Sequence, residues 1–278
     1  MKNYLLIDLS YACFYKFYAT KKWYNLANPD FDLSNVEDWN DVPDFINKFS
    51  YTFLNDIKNL KKKTNVPWEN VILVKDCPRK KIWRHDLVDG YKGTRSNMQK
   101  KFNGSQLFIH TYNTLIPQWI KDFKVKLLSC DRAEADDIIG IVTKYLDKDK
   151  NIITIIANDN DYLQLLANER INMANMKYKL KDHDNHKKNL KTKILIGDVS
   201  DNIPPCYVRS TTVNSTSKRE YIKCTKNNIL CLLEKDIFNL NDIIRDNQHL
   251  INRNLIDFDY IPESIKNIVI DKFEKLYA

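Results

Sequence analysis

Three short apolar runs constrain this chain more than any other feature: Tyr4-Leu5-Leu6-Ile7, Val71-Ile72-Leu73-Val74 and Asn151–Ala157. Each is too short for a helix and rich in β-branched or aliphatic residues, and each runs into acids: Asp8, Asp76, and Asp159 with Asp161. Helical spacing fills the intervals. From Pro43 to about Lys63, apolar Phe45, Ile46, Phe49, Phe53, Leu54, Ile57 and Leu60 share one face, with Pro in the first turn and lysines in the last. A helix from a Ser10 cap to about Ala19 is expected, then a loop over 21–42, and a helix over Ser105–Asp122 kinked at Pro117. Lys124–Leu128 reads as a strand, 170–193 as short strands or turns with a basic segment, and 205–278 as helical. Strands alternating with helices predict an α/β fold with a mostly parallel sheet. Ligands of open α/β sheets bind at the carboxyl ends of the strands, where these acids fall.

The densest acidic stretch is Cys130-Asp131-Arg132-Ala133-Glu134-Ala135-Asp136-Asp137, followed by apolar Ile138, Ile139, Ile141, Val142, Tyr145 and Leu146. The spacing predicts an amphipathic helix with its acids in the first turn. Compensation of the helix dipole, worth roughly 0.3–1 kcal/mol per acid, accounts for Asp131 or Glu134. It does not account for Asp136 beside Asp137, because adjacent helical residues point in different directions. A further acidic pair, Asp198 and Asp201, closes the apolar run at Ile194–Ile196.

If Asp8, Asp76, Glu134, Asp136, Asp137, Asp159, Asp161, Asp198 and Asp201 meet in one cleft, their repulsion is severe. A close pair costs about 1 kcal/mol in water and about 4 kcal/mol at an effective dielectric of 20. Either their pKa values rise or cations sit among them, and all-oxygen ligands select hard ions such as Mg²⁺ or Mn²⁺. Two such ions can activate water and stabilise a leaving oxygen of a phosphodiester. One or two of the nine are expected to be structural. Asp159 before a helix and Asp201 in Ser-Asp-Asn are good capping candidates.

Composition narrows the classes. The net charge of +8 is compatible with a polyanionic partner, and 43% hydrophobic with 29% charged residues is ordinary for a globular protein. No apolar run approaches the roughly 20 residues of a membrane span, and Met1-Lys2-Asn3-Tyr4 leads into a strand rather than a signal peptide. Six scattered cysteines without a C-x-x-C pair argue against zinc and disulfide frameworks. An intracellular protein of cytoplasm or nucleus, not secreted and not membrane-bound, is expected. The absence of G-x-x-x-x-G-K-[ST] argues against NTP hydrolysis. The five histidines show no pairing with a nucleophile and read as surface residues.

Glu134-Ala135-Asp136-Asp137, Asp159-Asn160-Asp161-Tyr162 and Gly197-Asp198-Val199-Ser200-Asp201-Asn202-Ile203-Pro204 resemble the 5′-nuclease (flap endonuclease) family. The likeness is to bacteriophage 5′-nucleases and the 5′–3′ exonuclease domain of bacterial DNA polymerase I. Asp8, Asp76, Arg84, Tyr91-Lys92 and Arg95 stand in the family's order, and the resemblance spans essentially the whole chain, Leu250–Pro262 included. It implies a metal-dependent 5′–3′ exonuclease and flap endonuclease acting on DNA or on RNA primers in replication or repair, most simply as a monomer. It further implies a catalytic core over 1–196 and a helix-hairpin-helix-like DNA-binding region over 197–278, in one compact unit. Asp8, Asp76, Glu134, Asp136 and Asp137 would line a first ion position, and Asp159, Asp161, Asp198 and Asp201 a second. Lys92 and Arg84 would contact the scissile phosphate. Residues from about 90 to 107, with Arg95, Lys100 and Lys101, would form an arch over a single-stranded 5′ end, and Tyr91 would stack on a base. A solvated basic loop, and a tyrosine packed on its own helix, are the plainer readings of those two features.

One departure is visible. After Pro204 the family carries a glycine-rich loop that grips duplex backbone, often with K⁺. Residues 205–219 contain no glycine, which leaves a K⁺ site in doubt and transfers the grip to Arg209, Lys218 and Arg219. A non-catalytic DNA-binding accessory protein and a related RNase stay open as alternatives, since contacts to metal and backbone do not read base identity.

Overall fold

The computed structural model describes residues 1–93, 102–182, 186–209, 221–226, 229 and 244–278. Five parallel strands form its sheet, in the order β3-β2-β1-β4-β5: β1 (Asn3–Asp8), β2 (Val71–Val74), β3 (Lys126–Leu128), β4 (Ile152–Ile156) and β5 (Ile171–Ala174). Leu5 is in register with Val71 on one side and Thr154 on the other, so β1 is central. The chain steps outward from β1 through β2 and β3, then returns to add β4 and β5 on the far side. That reversal opens a crevice at the carboxyl edge beside β1.

Both faces of the sheet are covered, which is why its strands are apolar throughout. The period of two still sorts them. Leu5, Ile7, Val71 and Leu73 face α1 (Leu9–Ala27), α2 (Pro43–Thr64) and α4 (Ile116–Phe123). Tyr4, Leu6, Ile72, Val74, Ile153 and Ile155 face α5 (Ala135–Asp147) and α8 (Glu263–Lys275). A third cluster joins Cys77, Ile82 and Tyr91 to α6 (His186–Ile196), to the antiparallel pair β6 (Tyr207–Arg209) and β7 (Tyr221–Lys223), and to α7 (Gln248–Ile256).

Several local expectations are corrected. Asp8, not Ser10, caps α1, accepting the Tyr11 N–H at 3.0 Å, and the helix runs on to Ala27 because Thr20 and Tyr24 have partners to bury against. The expected loop therefore starts only at Asn28, and short 3₁₀ turns at Leu33–Asn35 and Trp39–Asp41 order it around a fully buried Trp39. The kink at Pro117 is a π-turn at Thr111–Leu115 between α3 (Ser105–His110) and α4, with the proline in the first turn of α4, where a missing N–H costs nothing. The β6–β7 pair replaces helix in 205–278, its three-residue strands being too short for a periodicity signal. His249 is buried, not a surface residue.

Candidate metal centre

Nine carboxylates converge on the carboxyl edge, and the structure divides them by charge compensation. Asp8 ends β1, with Oδ1 taken by Tyr11 N–H and Oδ2 accepting the Tyr162 hydroxyl at 2.9 Å. Asp76 follows β2 and accepts the Ser10 hydroxyl at 2.5 Å and the Ala135 N–H at 2.8 Å, which ties it to the starts of α1 and α5. Asp136 accepts the Asp137 N–H at 2.8 Å, and Asp159 caps a 3₁₀ turn through the Asp161 N–H at 3.0 Å. Among the described residues none of these four acids has a cation partner. Burial, then the Asp76 charge, push Asp8 up to about 7, and Asp136 adds to the effect.

The other five acids are held by three cations. Arg84 reaches Asp137 through Nη2 at 2.7 Å and Nη1 at 2.9 Å, and Nη1 also reaches Glu134 at 3.1 Å. Lys92 lies 2.5 Å from Glu134 and 3.5 Å from Asp201. Lys193, from the last turn of α6, joins Asp161 to Asp198, the latter at 2.8 Å. Burial and the Asp136 charge raise Glu134 to about 7 against the pull of Lys92 and Arg84. Burial and Asp159 raise Asp161 to about 7 despite Lys193. Asp198 goes the other way: burial opposes ionisation, but bonds from Lys193 and Ser200 hold it at about 2.

The first turn of α5 therefore does two jobs. Glu134 and Asp137 form a reciprocal capping box, with the Glu134 N–H donating to Asp137 at 3.0 Å. Glu134, Asp136 and Asp137 each present an oxygen within 4.8 Å of the others, close enough for one ion. Yet Asp137 is 0% exposed, and its oxygens are taken by Arg84 and by Trp83 Nε1 at 2.9 Å. Asp136 is the open member of the three, and Asp137 is a structural acid that directs Arg84.

Three further expectations change. Arg84 is 2% exposed and its Nε donates to the Leu255 carbonyl at 2.7 Å, so it serves here as an internal counterion. Tyr91 is 3% exposed and donates to Glu134 at 3.0 Å and Asp201 at 3.2 Å, which leaves no face for a base. The capping acid of the Gly197–Pro204 turn is Asp198, which accepts the Ser200 N–H at 2.8 Å, while Asp201 points inward to Lys92. Lys92, with a left-handed φ of 54°, is likewise turned to Glu134. Arg209 lies in β6. Arg95, Lys100, Lys101, Lys218 and Arg219 lie outside the described residues, as does the centre of the expected arch.

Lys193, Tyr162, Ser10 and Trp83 escape sequence reading. Lys193 is hidden in a basic run in which Lys177, Lys179, Lys187 and Lys188 face solvent. Tyr162 carries the only available signal, its place directly after Asp159-Asn160-Asp161.

A divalent cation fits this centre: the uncompensated donors are all carboxylate oxygens, drawn from two adjacent strand ends, a helix start and the turn after β4. Fold and site together define an α/β protein with a parallel sheet and an acidic cluster, at its carboxyl edge, that could hold a metal ion. Residues 3–194 match the model of the 5′–3′ exonuclease N-terminal resolvase-like domain, and residues 186–277 match that of the T4 RNase H C-terminal region. The chain belongs to the 5′–3′ exonuclease family, whose members are metal-dependent nucleases. It is 26% identical over 239 residues to ribonuclease H of Enterobacteria phage T4, covering 80% of this chain and 76% of that one. It is 30% identical over 164 residues to a 5′–3′ exonuclease of Buchnera aphidicola, covering 59% of this chain and 46% of the relative, about half its length. The flap endonuclease of bacteriophage T5, solved as a pseudo-enzyme–product complex with DNA and metal ions, superposes with a TM-score of 0.61. That match covers the full length of both chains at 16% identity, a likeness of fold.

Proposed function

We propose that this chain hydrolyses phosphodiester bonds at 5′ ends and 5′ flaps of DNA, and in RNA primers paired to DNA, with two Mg²⁺ or Mn²⁺ ions, as a monomer. The observation that carries this reading is the set Asp8, Asp76, Asp136 and Asp159, four acids without an ion-pair partner among the described residues, at the switch point of a parallel sheet in a chain of net charge +8. Asp8, Asp76 and Asp136 would hold one ion; Asp159, with Asp161, Asp198 and Asp201, would hold the second. Bound there, the ions supply charge neutralisation and an acidified water for hydrolysis.

The rest of the centre prepares that set. Tyr162 fixes Asp8, Ser10 and the Ala135 N–H fix Asp76, and all three supports are short and partly or fully buried. Arg84, Lys92 and Lys193 offset part of the charge of Glu134, Asp137, Asp161, Asp198 and Asp201, and the four open acids carry theirs in full. Without ions that charge repels a phosphodiester; with them the pit accepts one. Basic residues elsewhere hold the nucleic-acid backbone. The five described cysteines are free and buried, which suits work in a reducing intracellular compartment.

Cleavage of a 5′-labelled flap duplex, and of the same duplex with an RNA flap strand, tests the reading with Mg²⁺ or EDTA. Wild type should cut near the single-strand/duplex junction only with Mg²⁺. Asp159→Asn, at an exposed position, should bind without cutting. A wild type that binds both substrates and cuts neither under any divalent ion refutes the enzymatic reading.

A further inference from the structure

A cavity of about 380 Å³ adjoins the metal centre on its β3 side, walled by Lys75, Asp76, Tyr112, Ser129, Asp131 and Lys272. The size is that of a site for a small ligand or a nucleotide-sized group. It shares Asp76 with the centre, so whatever fills it lies next to the reacting position.

Its two lysines, half-buried Lys75 and exposed Lys272, each have a defined contact that aims them at its wall. Lys75 extends from the end of β2 and holds its ammonium over the Tyr112 ring, 4.3 Å from the centroid. Lys272 comes from α8, at the other end of the chain, and is tethered to the Ser129 carbonyl at 3.2 Å. Neither has a carboxylate partner among the described residues, although two acids stand in the same wall. Asp131 pairs with Lys81 at 3.3 Å, and Asp76 is occupied by Ser10 and the Ala135 N–H. Two ammonium groups on one cavity, neither ion-paired among the described residues, make a site for a compact anion of several acceptor oxygens, strengthened once a cation has neutralised Asp76 beside them.

We propose that this cavity is a phosphate subsite, holding the phosphate next along the substrate strand from the one being cut. The inference rests on the nuclease reading and deepens it. The phosphate can come from two sources, a 5′-terminal phosphate or an internal backbone phosphate, and both present the same oxygens to Lys75 and Lys272.

The test measures binding in EDTA, where nothing is cut. Single-stranded and flap DNA, 3′-labelled and bearing either a 5′-phosphate or a 5′-hydroxyl, are titrated against the full chain by fluorescence anisotropy over a range of salt. Lys75→Met and Lys272→Met should each lower the slope of log K against log salt by about 0.7 on single strands, the value for one lost phosphate contact. Lys75→Arg should keep the slope. Lys144→Met, whose ammonium pairs with Asp259 away from the cavity, should also leave it unchanged. A loss confined to 5′-phosphorylated DNA assigns the terminal phosphate; an equal loss on both assigns an internal one. If Lys272→Met, an exposed position that tolerates the change, keeps the wild-type slope, and a folded Lys75→Met keeps it too, the subsite is overturned; if Lys75→Met does not fold, an unchanged Lys272→Met alone overturns it. Should wild type still cut flaps in that case, the nuclease reading stands. Conversely, a wild type that binds with these slopes and cuts nothing sinks the nuclease reading and leaves the phosphate contact in place.

Discussion

Tyr162 donates its hydroxyl to Asp8 at 2.9 Å, joining the turn after β4 to the end of β1 across 154 residues of sequence. The tyrosine is fully buried and packs on Phe258, so its ring supports the core while its oxygen positions a candidate metal ligand. Tyr162→Phe separates the two roles. We expect a stability loss of about 0.5–1.5 kcal/mol, the range for one hydrogen bond. The bond also favours ionised Asp8. Its loss should move the rising limb of the pH–rate profile to higher pH and raise the Mg²⁺ needed at pH 7. A profile that overlays wild type would show that Tyr162 only packs.

Asp136 adds repulsion to Asp8, Glu134 and Asp161; it has no ion pair among the described residues, and its attraction to Arg84 and Lys92 acts without direct contact. In EDTA at pH 8, Asp136→Asn relieves that repulsion and gives up the attraction to Arg84 and Lys92, so its stability should stay within about 1 kcal/mol of wild type. The same change should abolish flap cleavage and weaken stabilisation by Mg²⁺. Urea unfolding in EDTA and in Mg²⁺ measures both. A variant that Mg²⁺ stabilises as much as wild type contradicts the assignment of Asp136 to the ion.

Arg84 is the inverse case. Removing the guanidinium leaves Asp137 buried without its main counterion and Glu134 with Lys92 alone. Arg84→Met should cost about 3–5 kcal/mol, the range for breaking one partner out of a buried pair. Denaturant unfolding checks this, and Arg84→Lys should recover part of the loss because charge returns without the two-pronged geometry.

The raised carboxylates give the metal-free protein an unusual pH dependence. Asp8, Glu134 and Asp161, each pushed to about 7, bind protons in the folded state that the unfolded chain has already released. Between the ordinary carboxylate range and pH 7 the native state holds more protons, so stability falls as pH rises through that window. Asp198, held at about 2, contributes stability that disappears only in stronger acid. Thermal melts in EDTA should show a lower Tm at pH 8 than at pH 5. Saturating Mg²⁺ should reverse the order, since cations replace the protons and stabilise by mass action, about 2.7 kcal/mol at a hundredfold excess over Kd. A Tm in EDTA that rises from pH 5 to pH 8 contradicts this account.

Much of the rim was legible before any coordinates. Asp8, Asp76 and Asp159 sit where an apolar run of strand length stops, and the spacing after Asp137 marks the start of α5. Those signals are local: strand period, helix period and capping chemistry act within a few residues. The length of α1, by contrast, depends on Thr20 and Tyr24 finding burial, and the short strands β6 and β7 on pairing with each other.

The sequence by itself determined an α/β fold with carboxylates at one sheet edge, because alternation of periods and the handedness of parallel crossovers leave few other arrangements. Only the tertiary structure decided which acids stay open. Arg84 and Lys92 against Glu134, Asp137 and Asp201, and Lys193 against Asp161 and Asp198, are encounters between segments far apart in the chain. A buried charge must be compensated by whatever packing brings within a few ångströms. No spacing along the sequence encodes that distance.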